Sequence, residues 1–97
     1  MVKSNENSAY KRGQELLDQG NYKDAVVQFD AALQEQPDSW KALNSKGFAF
    51  QKMSRYTEAV DCFDKALLLN PQSVEVLNNK GVTLSMRGLY KDAIACF

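Results

Sequence analysis

The chain has 97 residues, 44% of them hydrophobic and 25% charged, and its 12 basic and 12 acidic side chains cancel. That balance describes one soluble domain and leaves out the strong positive field that binding along nucleic acid requires. The opening residues MVKSNENS lack the apolar run of a secretion signal, no stretch approaches the roughly 20 apolar residues that span a bilayer, and there is no histidine. The expectation is a cytoplasmic protein with no metal, no cofactor and no membrane or nucleic-acid partner.

Residues 1–5 read as a tail. From there the chain repeats itself: Gly13, Gly47 and Gly81 are 34 residues apart, and Tyr22, Tyr56 and Tyr90 follow them at a constant nine residues. Ala25, Ala59 and Ala93 keep the interval, as do Phe29, Phe63 and Phe97, and Pro37 and Pro71 close two units. Residues 6–39 share 10 identities in 34 with 40–73, and 40–63 share 8 in 24 with 74–97. Unrelated segments would match at roughly 6%, so the period is real. Two full units, 6–39 and 40–73, precede a third, 74–97, that stops after Phe97.

Within the first unit Ala9, Leu16 and Leu17 recur at helical spacing, and Val26, Phe29, Ala32 and Leu33 form an apolar stripe at i, i+3, i+6 and i+7. Each unit is therefore a pair of amphipathic helices. Gly20 and Asn21 break the first pair, glycine by taking the left-handed turn and asparagine by capping the next helix. Ser54 stands at the equivalent of Gly20 in the second unit and Gly88 in the third. Pro37 and Pro71 end the second helices, and Ser39 and Ser73 cap the helices that follow. The predicted helices are 6–19, 22–35, 40–53, 56–69, 74–87 and 90–97. A glycine inside the first helix of every unit costs about 1 kcal/mol relative to alanine, which close approach of a neighbouring helix explains; Ala25, Ala59 and Ala93 are the matching small residues, with Tyr and Phe rings filling the space beside them. Cys62 and Cys96, also 34 apart, read as small apolar residues and not as a disulfide or metal pair.

The recurring set Gly47, Tyr56, Ala59, Phe63, Ala66 and Pro71 resembles the tetratricopeptide repeat, and the resemblance covers 6–97. Trp40 departs from it by standing three residues before the family's usual tryptophan site, filled here by Leu43 and Leu77. Arg12, Lys46 and Lys80 depart by preceding the glycines where an apolar residue is common; their stems can lie along apolar surface with the charge outside. The resemblance implies an all-α, α–α superhelix whose concave wall is lined by the first helix of each pair. Carried over residue by residue, that wall comprises Asn7, Tyr10, Lys11, Gln14 and Leu17, then Lys41, Asn44, Ser45, Phe48, Gln51 and Lys52, then Glu75, Asn78, Asn79, Val82 and Ser85. Tyr10, Gln14, Lys41, Asn44, Phe48, Lys52, Asn78, Asn79 and Val82 are the candidate contacts for a protein partner or extended peptide. Asn44 and Asn78 could pair with a peptide backbone, and Phe48 and Val82 offer apolar contact beside them.

Residues 40–55 carry Lys41, Lys46, Lys52 and Arg55 with no acid, while 22–38 carry one base against four acids. An acidic ligand drawn to Lys41 and Lys52 is one reading; neutralisation by the acidic outer helices is the other. The clamp by which related domains hold acidic chaperone tails falls here on Tyr10, Gln14, Ser45, Glu75 and Asn79, none of them the residue that clamp uses. No phosphate loop, Gly-x-Ser-x-Gly turn or metal spacing supports an enzyme, and an RNA-binding helical repeat would have period 35 and more positive charge. The apolar end Ala93-Ile-Ala-Cys-Phe97 leaves two expectations open: a segment of a longer array, or a self-assembly module that forms a homo-oligomer through its open C-terminal edge.

Overall fold

A computed structural model describes residues 8–95 and, within them, every side chain but those of Tyr90 and 92–95. The expected tail 1–5, the start of the first helix at 6, and the sites Asn7, Cys96 and Phe97 lie outside the described residues. Five helices follow in chain order: α1 (Ser8–Asp18), α2 (Tyr22–Glu35), α3 (Trp40–Lys52), α4 (Tyr56–Leu69) and α5 (Val74–Ala95). Among the described residues there is no strand. Each helix packs on the next; α1 also touches α3, and α3 touches α5, whereas α2 and α4 do not meet. The inner helices thus crowd together and the outer ones splay, which bends the array into a helical-repeat solenoid of 57 × 28 × 18 Å.

The turns follow from single residues. Gly20 takes φ +81°, the left-handed region, and its amide bonds back to the Leu17 carbonyl at 3.0 Å. Ser54 adopts φ +62° at the equivalent point, a conformation that costs a residue with a β-carbon. Ser39 Oγ accepts from the Ala42 amide at 3.2 Å, and Ser73 Oγ from the Val76 amide at 3.3 Å. Asn21 differs from the expectation: it makes no side-chain cap, and its Nδ2 donates instead to Gln19 Oε1 at 3.2 Å.

The buried glycines in α1 and α3 admit a ring from the paired helix. A β-carbon on Gly13 would stand 2.6 Å from Phe29 Cε1, and one on Gly47 would stand 2.6 Å from Phe63 Cε1. Both rings are fully buried. Phe29 packs with Leu16 and Ala25, against Tyr10 and Leu17. Phe63 packs with Leu43, Ala59, Ala66 and Val76, against Leu33, Trp40, Phe50 and Leu67. Burying one such ring stabilises the fold by roughly 2–3 kcal/mol, more than the helix penalty of the glycine that receives it.

The third unit departs from the expected helix pair. A break at Gly88 was expected between helices 74–87 and 90–97; instead α5 runs without interruption from Val74 to Ala95. Glycine only biases a chain toward a turn. Continuing the helix satisfies each amide locally, whereas a turn at Gly88 would leave the carbonyls before it and the amides after it to be capped. Where the first turn reads Gly20-Asn21, the third reads Gly88-Leu89, which lacks a polar residue to favour the turn.

Candidate functional site

The inner helices α1, α3 and α5 enclose a hollow of about 280 Å³ lined by Gln14, Leu17, Asp18, Asn44, Ser45, Phe48, Glu75 and Asn79. A second hollow of about 220 Å³ shares Gln14, Asn44, Ser45 and Glu75 with it and adds Tyr10, Trp40 and Lys41. Together they form one trough along the concave wall. Its sides are hydroxyl and amide groups, with Leu17 and Phe48 as half-buried apolar surface. Lys41 stands at one end, and Asp18 and Glu75 carry the opposite charge.

Side chains from different units are tied beneath this trough. Asn79 Nδ2 donates to Asn44 Oδ1 at 3.0 Å, and Gln51 Nε2 donates to Thr83 Oγ1 at 2.7 Å in a buried setting. Thr83 Oγ1 in turn donates to the Asn79 carbonyl at 2.7 Å. Gln14 Nε2 lies 3.4 Å from the Tyr10 hydroxyl, one turn away on α1. Buried amides held by such bonds present fixed donors and acceptors.

Of the expected contacts, Tyr10, Gln14, Lys41, Asn44, Phe48 and Asn79 line the trough. Asn78, Lys52 and Val82 do not line it and are exposed on their helices. Lys52 Nζ sits 5.2 Å from the Phe48 ring centre, and Lys41 Nζ sits 6.0 Å from the ring of Trp40, so both cations have aromatic faces beside them. Gln51, carried over as a wall residue, is buried and belongs to the joint between α3 and α5. Asp18 was not among the expected residues; it is one position after Leu17 at the end of α1, where the curve of the array brings it toward α3.

The basic residues before the glycines of the second and third units pair with acids of the outer helices, which for Lys46 is the neutralisation expected as one of the two readings of the basic stretch 40–55. Lys46 Nζ meets Asp30 Oδ1 at 2.6 Å, and Lys80 Nζ meets Asp64 Oδ1 at 2.7 Å, each joining an inner helix to the outer helix of the preceding unit. Asp30 and Asp64 are themselves 34 apart, so the signal was present in the period. Arg12, with no preceding unit among the described residues, pairs along its own helix with Glu15 at 3.6 Å.

Cys62 is buried, and burial pushes its thiol up to about 11, away from the thiolate form that attacks electrophiles or binds metal. No helix among the described residues is long and apolar enough to cross a membrane.

The tetratricopeptide repeat family matches in three overlapping stretches, residues 10–50, 40–73 and 62–95. Among curated proteins none matches the chain. Tetratricopeptide repeats generally mediate protein–protein interaction. A 34-residue period of helix pairs, phenylalanine rings seated on glycines, a solenoid with stacked inner helices and three family matches across 10–95 agree: the chain belongs to the tetratricopeptide repeat family.

Proposed function

We propose that this chain is a protein-interaction scaffold that binds an extended segment of a partner along the trough of α1, α3 and α5. The observation that carries the reading is the trough itself, with Gln14, Asn44 and Asn79 as amide groups beside Leu17 and Phe48. An extended peptide has unpaired amides and carbonyls along its length, which side-chain amides satisfy, while alternate side chains take the apolar contacts. Lys41 supports an acidic side chain in the ligand at its end of the trough; Asp18 and Glu75 oppose a uniformly acidic one. Selection of peptides from a random display library on the immobilised chain, followed by titration against native, Gln14→Ala and Phe48→Ala proteins, tests this. Each variant is expected to lose affinity about tenfold, near 1.4 kcal/mol; unchanged affinity in both would remove the trough as the site.

Association of two copies is a second reading, favoured by one observation. The last helix exposes Val74, Leu77, Val82, Leu84 and Leu89, more apolar surface than an isolated helix face ordinarily leaves in water.

A further inference from the structure

Acceptors outnumber donors in the larger hollow of the trough. The carboxylates of Asp18 and Glu75 are on its lining, and among the described residues no lysine or arginine is. Neither acid forms an ion pair with a described residue. Glu75 has a local reason to be acidic, since it lies in the first turn of α5, where the helix dipole favours a negative charge. Asp18 has none. It is the last residue of α1, the end at which the dipole disfavours an anion, and no base stands in that turn.

The amides and one hydroxyl add to the imbalance. Asn79 Nδ2 donates to Asn44 Oδ1 and Gln14 Nε2 to the Tyr10 hydroxyl, which leaves the carbonyl oxygens of Asn79 and Gln14 as acceptors. Ser45, on the same lining, is 8% exposed, and its hydroxyl has no hydrogen bond to a described residue. Among the described residues no buried side-chain nitrogen or oxygen is both sealed from solvent and unpartnered, so the Ser45 hydroxyl reaches the hollows that it lines. A buried hydroxyl in that state is completed by a partner from outside the fold.

Resting on the reading that the trough receives an extended segment, we infer that its larger hollow takes a basic side chain of that segment, arginine in preference to lysine. A guanidinium is all donor, in a planar fork, and matches two carboxylates, two amide oxygens and a hydroxyl better than the compact ammonium does. The alkyl stem lies against Leu17 and Phe48. The chain's own cations do not fill this place. Lys41 lines the smaller hollow only, and Lys52, with its Nζ 5.2 Å from the Phe48 ring centre, lines neither. Asn44 Nδ2 is without a partner among the described residues and is the donor left for a main-chain carbonyl of the ligand. With Lys41 at the other end, the segment that fits is of mixed charge, its acid near Lys41 and its base between Asp18 and Glu75.

Peptides selected from a random display library on the native chain are the probe. Each is resynthesised with its arginine replaced by citrulline, which keeps the shape and removes the charge, or its lysine by norleucine. Affinities are measured by calorimetry for the native chain and for the Asp18→Asn/Glu75→Gln protein. The selected peptides are expected to share a basic residue. Its neutral form should bind the native chain about tenfold more weakly, whereas the double variant should hold charged and neutral forms within about twofold of each other. Asp18→Asn alone should melt no lower than the native chain, since the acid opposes its own helix. Peptides that lose affinity for Phe48→Ala yet carry no basic residue, or bind equally well in neutral form, overturn the basic site and leave the trough standing. A citrulline loss of the same size in the double variant places the arginine elsewhere and overturns it too. Peptides indifferent to both Gln14→Ala and Phe48→Ala, or a library from which nothing is enriched, overturn the trough and this inference with it.

Discussion

Gln51 and Thr83, 32 residues apart in sequence, share a buried 2.7 Å hydrogen bond that joins the inner helices of the second and third units. The bond is particular to that joint. One unit earlier the equivalent positions are Leu17 and Ala49, neither of which has a side chain that could make such a bond. Thr83→Val keeps the shape and removes the hydroxyl, leaving the Gln51 amide buried without its acceptor. The expected loss is about 1–3 kcal/mol in urea denaturation, and adding Gln51→Leu should recover part of it. Equal stability of native and Thr83→Val proteins would show that the bond contributes nothing net.

Gly47 and Gly81 occupy equivalent positions with opposite surroundings. Gly47→Ala drives a methyl into the buried Phe63 ring and is expected to destabilise by about 1–3 kcal/mol, despite alanine's better helix propensity. Gly81→Ala, measured where the chain is monomeric, should be neutral or stabilising by up to about 1 kcal/mol. Thermal melts of the two variants at low concentration settle the contrast.

Ser54 holds a left-handed backbone that glycine adopts without strain. Ser54→Gly is expected to raise stability by about 0.5–1 kcal/mol, and Gly20→Ala to lower it by a similar amount. A destabilised Ser54→Gly protein would mean that its side chain contributes more than its backbone costs. Ser54 Oγ lies 3.4 Å from the Tyr56 hydroxyl and is exposed, so the backbone effect should prevail.

Burial raises the Cys62 thiol from 9.0 to about 11. The unfolded chain therefore releases this proton before the folded one does, and the Cys62 contribution to stability falls as pH rises from 9 through 11, with no effect at neutral pH. Alkylation with iodoacetamide at pH 8, read at the Cys62 peptide by mass spectrometry, should be much slower in the folded protein than in urea. Equal rates would place the thiol in solvent.

The helix pairs were legible because the period repeats the small and large residues that a packed hairpin needs: glycine under the ring, alanine beside it, serine at the cap. The details that escaped depend on contacts between units. Neutralisation of the basic stretch 40–55 by the acidic outer helices was legible, but not which acids do it: Lys46–Asp30 and Lys80–Asp64 lie 16 residues apart and meet only where the solenoid brings an inner helix against the preceding outer one. Asn44 was expected to work with Asn78, its equivalent by period, yet it bonds to Asn79. One residue on a helix turns the side chain by about 100°, so a small rotation of α5 relative to α3 decides which asparagine faces the trough. The uninterrupted α5 escaped for a different reason. Gly88 signals a turn only when its neighbours agree, and Leu89 does not.

The central claim is that the trough of α1, α3 and α5 receives the partner segment. The most direct measurement is a two-dimensional amide NMR titration of the isotope-labelled chain with a display-selected peptide. The account predicts that the largest shifts fall on Gln14, Leu17, Asn44, Ser45, Phe48 and Asn79, with the side-chain amides of Gln14 and Asn79 among them. Shifts concentrated instead on α2 and α4, with those residues unmoved at saturation, would contradict it.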